Sequence, residues 1–543
     1  MQIGHSCRAG SRCWRKFPHH KSPPQAPVAG QAGRYASEGI LPPVNLTPES
    51  VLSHEETRWA GVREVVLMAL PIILMVGSNT LMTAADAWMV GQLGTDHLAA
   101  IMPAGLLNHV VISFFIGVVS CVSTFVGQCY GRQNLRDCSH YAWQGIHISL
   151  MVAAGIMVLY PLTPHIFRLL GHAQNVRELE ETYFRIRLWG VGGGVMTVAL
   201  ASFFYATSRP VVPLVATVLA NVINFVGDYA LIFGKLGMPE LGITGAAIAT
   251  NVAAWICSLA LLAVFLAGPY NETFASRSTW RWDLPKVRKL FKIGWPAGLS
   301  MGMDVGCWVI FTSVIVGHFG VEALAAGTAT GMMLSMSFMP TVALGMATTA
   351  LVGQWIGKRD IPRARRRYIT ALKLGVAYMT LMGLVFVLFR NSLIGFFNTD
   401  PGVIDLGGKF LLFAAAFQFF DAAAIVTSSA LKGAGDTKWP MVVQLVVAWV
   451  LFLPISYVLA YHTNFGPIGA WLGAVVYIWL LGIALLWRFF SGKWKTIDIF
   501  EKAHEAPLMN AQPPPPAADH RPGEIAAAVK SSEESKPGAP PAL

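Results

Sequence analysis

Charge is what this chain has least of. Only 13% of its 543 residues are Asp, Glu, Lys or Arg, about half the share of an ordinary soluble domain. A solvated globular protein of this length is therefore not expected. The seven cysteines, at 7, 13, 121, 129, 138, 257 and 307, form neither a CxxC pair nor a zinc spacing, and no chemistry is assigned to them. No GxxxxGK[ST] loop is present: Gly234-Lys235 is followed by Leu236 and the glycine spacing is wrong, so a P-loop ATPase is excluded. No loop carries a His-Asp cluster large enough for a catalytic metal, and none is long enough to fold as a domain. The expectation is a protein that is not an enzyme and has no resident cofactor. Residues 1 to 60 lack an apolar core segment that could serve as a secretory signal.

What is abundant is apolar sequence. Hydrophobic residues make up 54%, and the mean hydropathy is +0.52. They fall in runs of about 20 to 30 residues rather than in stripes, the signature of membrane-crossing helices. Twelve such runs begin near residues 64, 98, 138, 178, 211, 242, 286, 322, 365, 402, 437 and 466. The fold class expected is an all-α integral membrane protein with twelve transmembrane helices. The net charge of +11 raises the question of nucleic acid, but the position of the basic residues answers it. Loops on the side of the N-terminus carry Arg132, Arg136, Arg209, Lys286, Lys292, Lys358, Arg363, Arg365 to Arg367 and Lys438, among others, and the opposite loops carry far fewer. That asymmetry is the positive-inside rule, with both termini cytoplasmic and the protein in the cell (inner) membrane. Nucleic acid is not an expected partner.

The ends differ in composition from the body. Residues 1–60, polar and basic with Pro-Pro and Gly-rich pieces, read as a disordered cytoplasmic extension. Residues 496–543, with Pro513 to Pro516, read as a disordered tail. The body between them repeats itself. LPIILMVGSNTLMTAADAWMVGQLGTDHLAA recurs as WPAGLSMGMDVGCWVIFTSVIVGHFGVEALAA, with Pro71 matching Pro296, Gly91 matching Gly317 and Gly94 matching Gly320. Val126-Gly127-Gln128 matches Val352-Gly353-Gln354, Gly131 matches Gly357, and Gly242 and Gly245 match Gly466 and Gly469. The offset stays between 224 and 226 residues, which marks a duplication. Two six-helix lobes are expected, 61–270 and 286–495, joined by a cytoplasmic linker at 271–285. An even number of spans in each places the pseudo-symmetry axis along the membrane normal, with a site between or within the lobes.

Polar residues inside the spans are the candidates for function, because a charge at membrane depth costs at least a few kcal/mol and is kept for a cavity or a partner. In the first span Asn79, Thr83 and Asp86 share one helical face. In the fifth, Asn221, Asn224 and Asp228 do the same, and the sixth adds Thr250 and Asn251. Carboxylate, amide and hydroxyl oxygens are the hard ligands that Na⁺ or a proton relay needs. The competing reading, that Asn and Thr only tie helices together, covers Asn221 or Thr250 but not two carboxylates. In the second half Asp304 lies eight residues after Pro296, Asp421 lies within the tenth span, and Ser428 shares the face of Asp421. Burial disfavours the ionised form of a carboxylate, so such groups are suited to taking up and releasing protons. Met301, Met303, Met332, Met333, Met336 and Met339 offer either a flexible apolar wall for varied ligands or ordinary packing. Pro71, Pro296 and Pro440 read as kink points, and His109, His147 and His318 as packed or interfacial.

With TAADAWMVGQLG at Asp86, GWPAGLSMGMDVG at Asp304, ANVINFVGDYALIFG ahead of GAAIAT, and FFDAAAIVTSSALKGAGDTKWP at Asp421, the chain resembles the multidrug and toxic compound extrusion (MATE) family over nearly all of residues 61–495. The resemblance implies efflux of amphipathic, often cationic compounds in exchange for H⁺ or Na⁺. It implies working acids at Asp86, Asp304 and Asp421, as in the NorM-like branch, where a longer acid is usual at 304. It also implies a cation site at Asp86, Asn224, Asp228 and Thr250, as in the DinF-like branch, with Na⁺ as one occupant. Asn79, Thr83, Met301, Met303, Met336 and Ser428 are then candidates for the substrate cavity. The expected partners are small amphipathic molecules and membrane lipid, and the expected state is a monomer. The alternative is a flippase of lipid-linked saccharides, which would favour several basic groups in the cavity for phosphate. Here the deep ionisable groups are mostly acids.

Overall fold

The computed structural model describes residues 58–170 and 174–500. Most of the expected N-terminal extension and most of the expected tail lie outside the described residues. In lipid every backbone N–H must find its partner within its own segment, so each apolar run winds into a helix. Twelve helices are long and apolar enough to span: α1 (Trp59–Gly91), α2 (Pro103–Gly131), α3 (Leu135–Arg168), α4 (Gln174–Ala206), α5 (Val211–Ile232), α6 (Ile243–Leu266), α7 (Leu284–Phe319), α8 (Val321–Gly357), α9 (Ile361–Gly395), α10 (Pro401–Ala434), α11 (Lys438–Tyr461) and α12 (Pro467–Phe490). Among the described residues there is no strand.

The duplication is written in the turns. Gly94 and its counterpart Gly320 have φ of 128° and 97°, and Gly242 and Gly466 share a φ of 55°. A side chain is strained in that left-handed region, which is why these four positions survive as glycine in both halves. Two helices depart from regular winding: α7 takes a π turn over Phe311–Val316, and α11 one over Leu445–Phe452. The rings of Phe311 and Phe452 meet there at 5.1 Å.

Packing does not divide where the linker does. The core of the second half includes Val65, Met68, Ala69 and Ile72 of α1. The core of the first half takes in Leu290 of α7, with Val287, Ile293 and Ala297 against it. The opening helix of each half thus packs its leading turns on the other half. The expected lobes, 61–270 and 286–495, describe the repeat but not the buried cores. A second departure concerns the chain's end. The tail expected from 496 begins as packed structure: Ile499 is buried, and Phe500 sits edge-on to Phe125 and Tyr141. Apolar Ile497, Ile499 and Phe500 follow a short polar stretch, and their burial outweighs the composition of what comes after.

At the end of the bundle that carries the basic loops, the two halves close on each other through glycine. A Cβ placed on Gly131 would lie 2.8 Å from the Cα of Gly357, its own counterpart, and one on Gly353 would lie 3.6 Å from the Cα of Gly127. Gly117 and Gly298 touch in the same way, with 2.5 Å between a Cβ on the first and the Cα of the second. Only the absence of side chains lets these backbones approach so closely. Around them run hydrogen bonds between the halves: Thr124 Oγ1 to the Lys432 carbonyl at 2.9 Å, Gln128 Nε2 to the Gly433 carbonyl at 3.1 Å, and Gln354 Nε2 to the Ala206 carbonyl at 2.8 Å. Arg367 of α9 pairs with Glu64 of α1, which also accepts from Trp355 Nε1 at 3.2 Å. Except for Gly117 and Gly298, which meet farther along their helices, these contacts lie at the same end.

Candidate functional site

The first cluster forms where α1, α4, α5 and α6 meet. Asp86 stands near the end of α1 and Asp228 near the end of α5, both away from the glycine seal. Their carboxyls are near enough to influence each other electrostatically. Asp228 is fully buried and accepts from Asn224 Nδ2 at 3.0 Å. One oxygen of Asp86 and one of Asp228 are buried with no hydrogen-bond partner. Two acceptors held side by side without a donor form a place for a positive charge or a shared proton.

A residue absent from the sequence-based set completes this cluster. Arg187 of α4 acts electrostatically on both Asp86 and Asp228, and its guanidinium donates to Asn251 Oδ1 at 3.0 Å. Asn251 is buried and donates in turn to the Ile186 carbonyl. The amide expected as a cation ligand therefore orients an arginine instead. The signal was legible, since Arg187 lies well inside an apolar span in TYFRIRLWG. A charge there calls for a partner as strongly as Asp86 does.

The remaining first-half candidates divide. Asn221 donates to Ser78 Oγ at 2.8 Å and to Asn79 Oδ1 at 3.1 Å, tying α5 to α1 away from the acids. Thr250 gives its hydroxyl to the Ala246 carbonyl of its own helix at 2.8 Å, and Thr83 does the same to Asn79 at 3.1 Å. Only Asn221 thus plays the helix-tying role weighed against ligation, since the two threonines bond within their own helices. No group of three or more His, Cys, Asp or Glu that could hold a metal ion occurs among the described residues.

The second cluster lies near the middle of α7, α10, α11 and α12. Asp304 is well inside α7, not at its end. Its Oδ1 accepts from Gln444 Nε2 at 2.9 Å and from the Tyr477 hydroxyl at 3.0 Å, and Gln444 and Tyr477 bond to each other at 2.6 Å. Tyr477 is fixed by stacking on Phe452, with centroids 4.6 Å apart. Asp421 lies close enough to Asp304 for their charges to interact. Gln444, a lone amide in PMVVQLVV, was detectable in the sequence; Tyr477, in an aromatic-rich span, was not. Met303 is buried, whereas Met336 is 58% exposed and Met301 and Ser428 are half-buried. Met303 is thus a packing residue, with its carbonyl receiving Trp449 Nε1 at 3.3 Å.

His147 lies near the rings of Trp143 and Trp282, and His318, exposed at the end of α7, rests on Tyr461 at 4.9 Å. The five described cysteines are free and buried.

Comparison with known proteins places this arrangement. The sequence pattern of the MatE family matches residues 71–230 and 296–458, one segment in each half. The chain is 30% identical over 428 residues to the multidrug resistance protein NorM of Burkholderia vietnamiensis, covering 78% of this chain and 92% of that one. It is 29% identical over 433 residues to the probable multidrug resistance protein NorM of Bradyrhizobium diazoefficiens, with the same coverage of each. Among solved structures it superposes on an outward-facing multidrug resistance MATE family transporter of the MOP superfamily, with a TM-score of 0.75 and 20% identity over 81% of this chain and 97% of that one. The eukaryotic MATE transporter AtDTX14 gives 0.73 and 20% over the same shares.

Proposed function

The chain belongs to the MatE family, and on that footing we propose that it is a secondary antiporter. It exports amphipathic, cationic drugs or toxic compounds across the cell's inner membrane in exchange for H⁺ or Na⁺. Both termini are cytoplasmic in this reading, so the glycine seal closes the cytoplasmic side and the body is outward-facing. The observation that carries the proposal is the pair Asp86 and Asp228, each with a buried oxygen lacking a partner. Such a pair, left ionised, draws a cation toward the first half. Once neutralised, it lets the drug go and the halves swing.

The coupling ion biases the swing only through its difference in affinity for the two states. One elementary charge moving down 100 mV releases about 2.3 kcal/mol, sufficient for roughly a fiftyfold gradient of an uncharged drug exchanged one for one. Of the two ions, Arg187 favours the proton. The positive charge of Arg187 acts on both carboxyls from beyond ion-pair distance, so Na⁺ would enter a field that is already positive, whereas a proton can be shared between Asp86 and Asp228 with Arg187 in place. Lys432, whose Nζ lies 3.4 Å from Ser120 Oγ, is the feature that keeps a flippase of anionic lipid-linked saccharides as the second reading.

Reconstituted vesicles loaded with a fluorescent cationic drug provide the test, with either a pH or a Na⁺ gradient imposed. Wild type should respond to the pH gradient and Asp86→Asn should not. Equal efflux by Asp86→Asn under both gradients would remove that residue from the mechanism.

A further inference from the structure

A second site lies at the closed end, apart from every acid discussed above. Between the start of α7, the turn from α10 into α11, the end of α12 and residues 497–499 there is a cavity of about 480 Å³. Four cations line it: Lys289, Lys292, Lys438 and Arg488. Its two carboxylates are already engaged, Asp436 by Arg488 at 2.7 Å and Asp498 by Arg132 at 3.4 Å. Among the described residues that line it, cations therefore outnumber carboxylates four to two. Trp439 also lines it, and its indole N–H is buried without an acceptor, an unfavourable state for a donor. An occupant offering anionic oxygens would answer both the surplus charge and the orphan donor.

The surroundings say what carries those oxygens. Trp439 and Trp487 stand 5.8 Å apart, a pair of amphipathic rings of the kind that mark the membrane–water boundary. Val442, at the cavity wall, is 45% exposed, and Leu445 and Val446 beyond it on α11 are 44% and 43% exposed. A cationic recess thus opens onto a strip of outward-facing aliphatic side chains that begins where the charge stops. We propose that this recess holds the phosphate headgroup of an anionic phospholipid, its acyl chains lying along α11. Basic recesses between spanning helices on the positive side of a membrane protein recognise lipid in this way. Because α7 leads into the first half's core while α11 and α12 belong to the second, a lipid bound here braces the closed end. Thr437 Oγ1 already bonds the Ile293 carbonyl at 2.7 Å across the same floor.

The test uses the full chain in detergent, titrated with phosphatidylglycerol, with phosphatidylcholine or with inorganic phosphate, and read by native mass spectrometry and by thermal midpoint. Wild type should retain phosphatidylglycerol selectively and be protected by it. Lys292→Gln with Lys438→Gln should lower that affinity roughly tenfold to thirtyfold, each lysine near a headgroup being worth about a factor of five. Trp439→Phe keeps the ring, removes only the N–H, and should cost about fivefold; it carries the test if the double variant does not fold. Retention of phosphatidylglycerol by both variants at the wild-type level would overturn the assignment. Protection by inorganic phosphate equal to that by phosphatidylglycerol would overturn the lipid as its occupant.

Discussion

Gln128 of α2 and Gln354 of α8 are counterparts in the duplicated halves, and each donates its amide to a backbone carbonyl of the other half. Gln128 reaches Gly433 at 3.1 Å and Gln354 reaches Ala206 at 2.8 Å, near the last turns of α10 and α4. Both side chains are buried, at 1% and 5% exposure. A closure that makes the same bond twice is released by breaking either copy. Replacing either glutamine by leucine strands a buried carbonyl at about 1–3 kcal/mol. Cys121 reports the result, since it is buried and directs its Sγ toward the Ile293 carbonyl across the seal. Its alkylation, followed by mass spectrometry, should speed up about tenfold in Gln128→Leu and Gln354→Leu alike. Unchanged labelling in both would mean that the seal does not rest on these bonds.

The glycines beneath them admit a sharper substitution. A Cβ on Gly357 would fall 2.9 Å from the Gln128 carbonyl carbon and Cα, contacts with backbone that no rotamer relieves. Gly357→Ala should therefore hold the halves apart at the basic end at a cost of about 1–3 kcal/mol. Gly331→Ala, on the same helix with open space around it, should have little effect. Paired spin labels across the seal would show a lengthened distance for the first and the native one for the second.

Arg187 yields a prediction about ion preference. Without its guanidinium the carboxyls of Asp86 and Asp228 lose their fixed counter-charge, and Na⁺ no longer approaches a like charge. Arg187→Gln should lower pH-driven efflux about tenfold, the equivalent of 1.4 kcal/mol, while a Na⁺ gradient that wild type ignores begins to drive transport. Arg187→Lys should keep the wild-type preference. Identical ion dependence in wild type and Arg187→Gln would count against the proton assignment.

How much of this was readable beforehand depended on whether the cause was local. The twelve helices begin within about five residues of where the apolar runs begin, because hydropathy acts on each segment separately. The repeated glycines could be found in the sequence, but not that Gly131 would rest on Gly357, since periodicity says which residues match and not which ones touch. The exchange of leading turns by α1 and α7 left no mark, because an apolar face says that it is buried and not which neighbour buries it. Asp86 and Asp228 were legible as isolated charges. Asn251 was misread as a cation ligand because its partner Arg187 stands on a different helix.

Around Asp304 the expected effects are graded. Its Oδ1 receives donors from both Gln444 and Tyr477, and a hydrogen bond to a charged acceptor is worth about 1.5–3 kcal/mol. Tyr477→Phe keeps the stack on Phe452 and removes one donor, so drug efflux should fall roughly tenfold with little change in thermal midpoint. Asp304→Asn removes the charge that draws the cation and should abolish coupled transport while leaving drug binding measurable. Full activity in Asp304→Asn would restrict coupling to the first-half cluster.

The end of the described chain provides the last test, because composition and structure disagree there. Residues after 496 look like tail, yet Phe500 packs against Phe125 and Tyr141. Arg132 lies over the Phe500 ring at 4.3 Å, and Lys289 Nζ holds the Phe500 carbonyl at 3.1 Å. Ile499 is buried against Gly435 at the turn between α10 and α11. Removing these apolar side chains from the seam exposes surface worth about 3 kcal/mol, all of it where the halves meet. A chain ending at 495 should therefore melt earlier than the full protein and leak at its closed side, whereas one ending at 500 should match the full protein in both. Equal melting of the two truncations would show that Ile497 to Phe500 merely rest on the bundle, and the brace at the closed end would then have to come from α7 and the glycine layer alone.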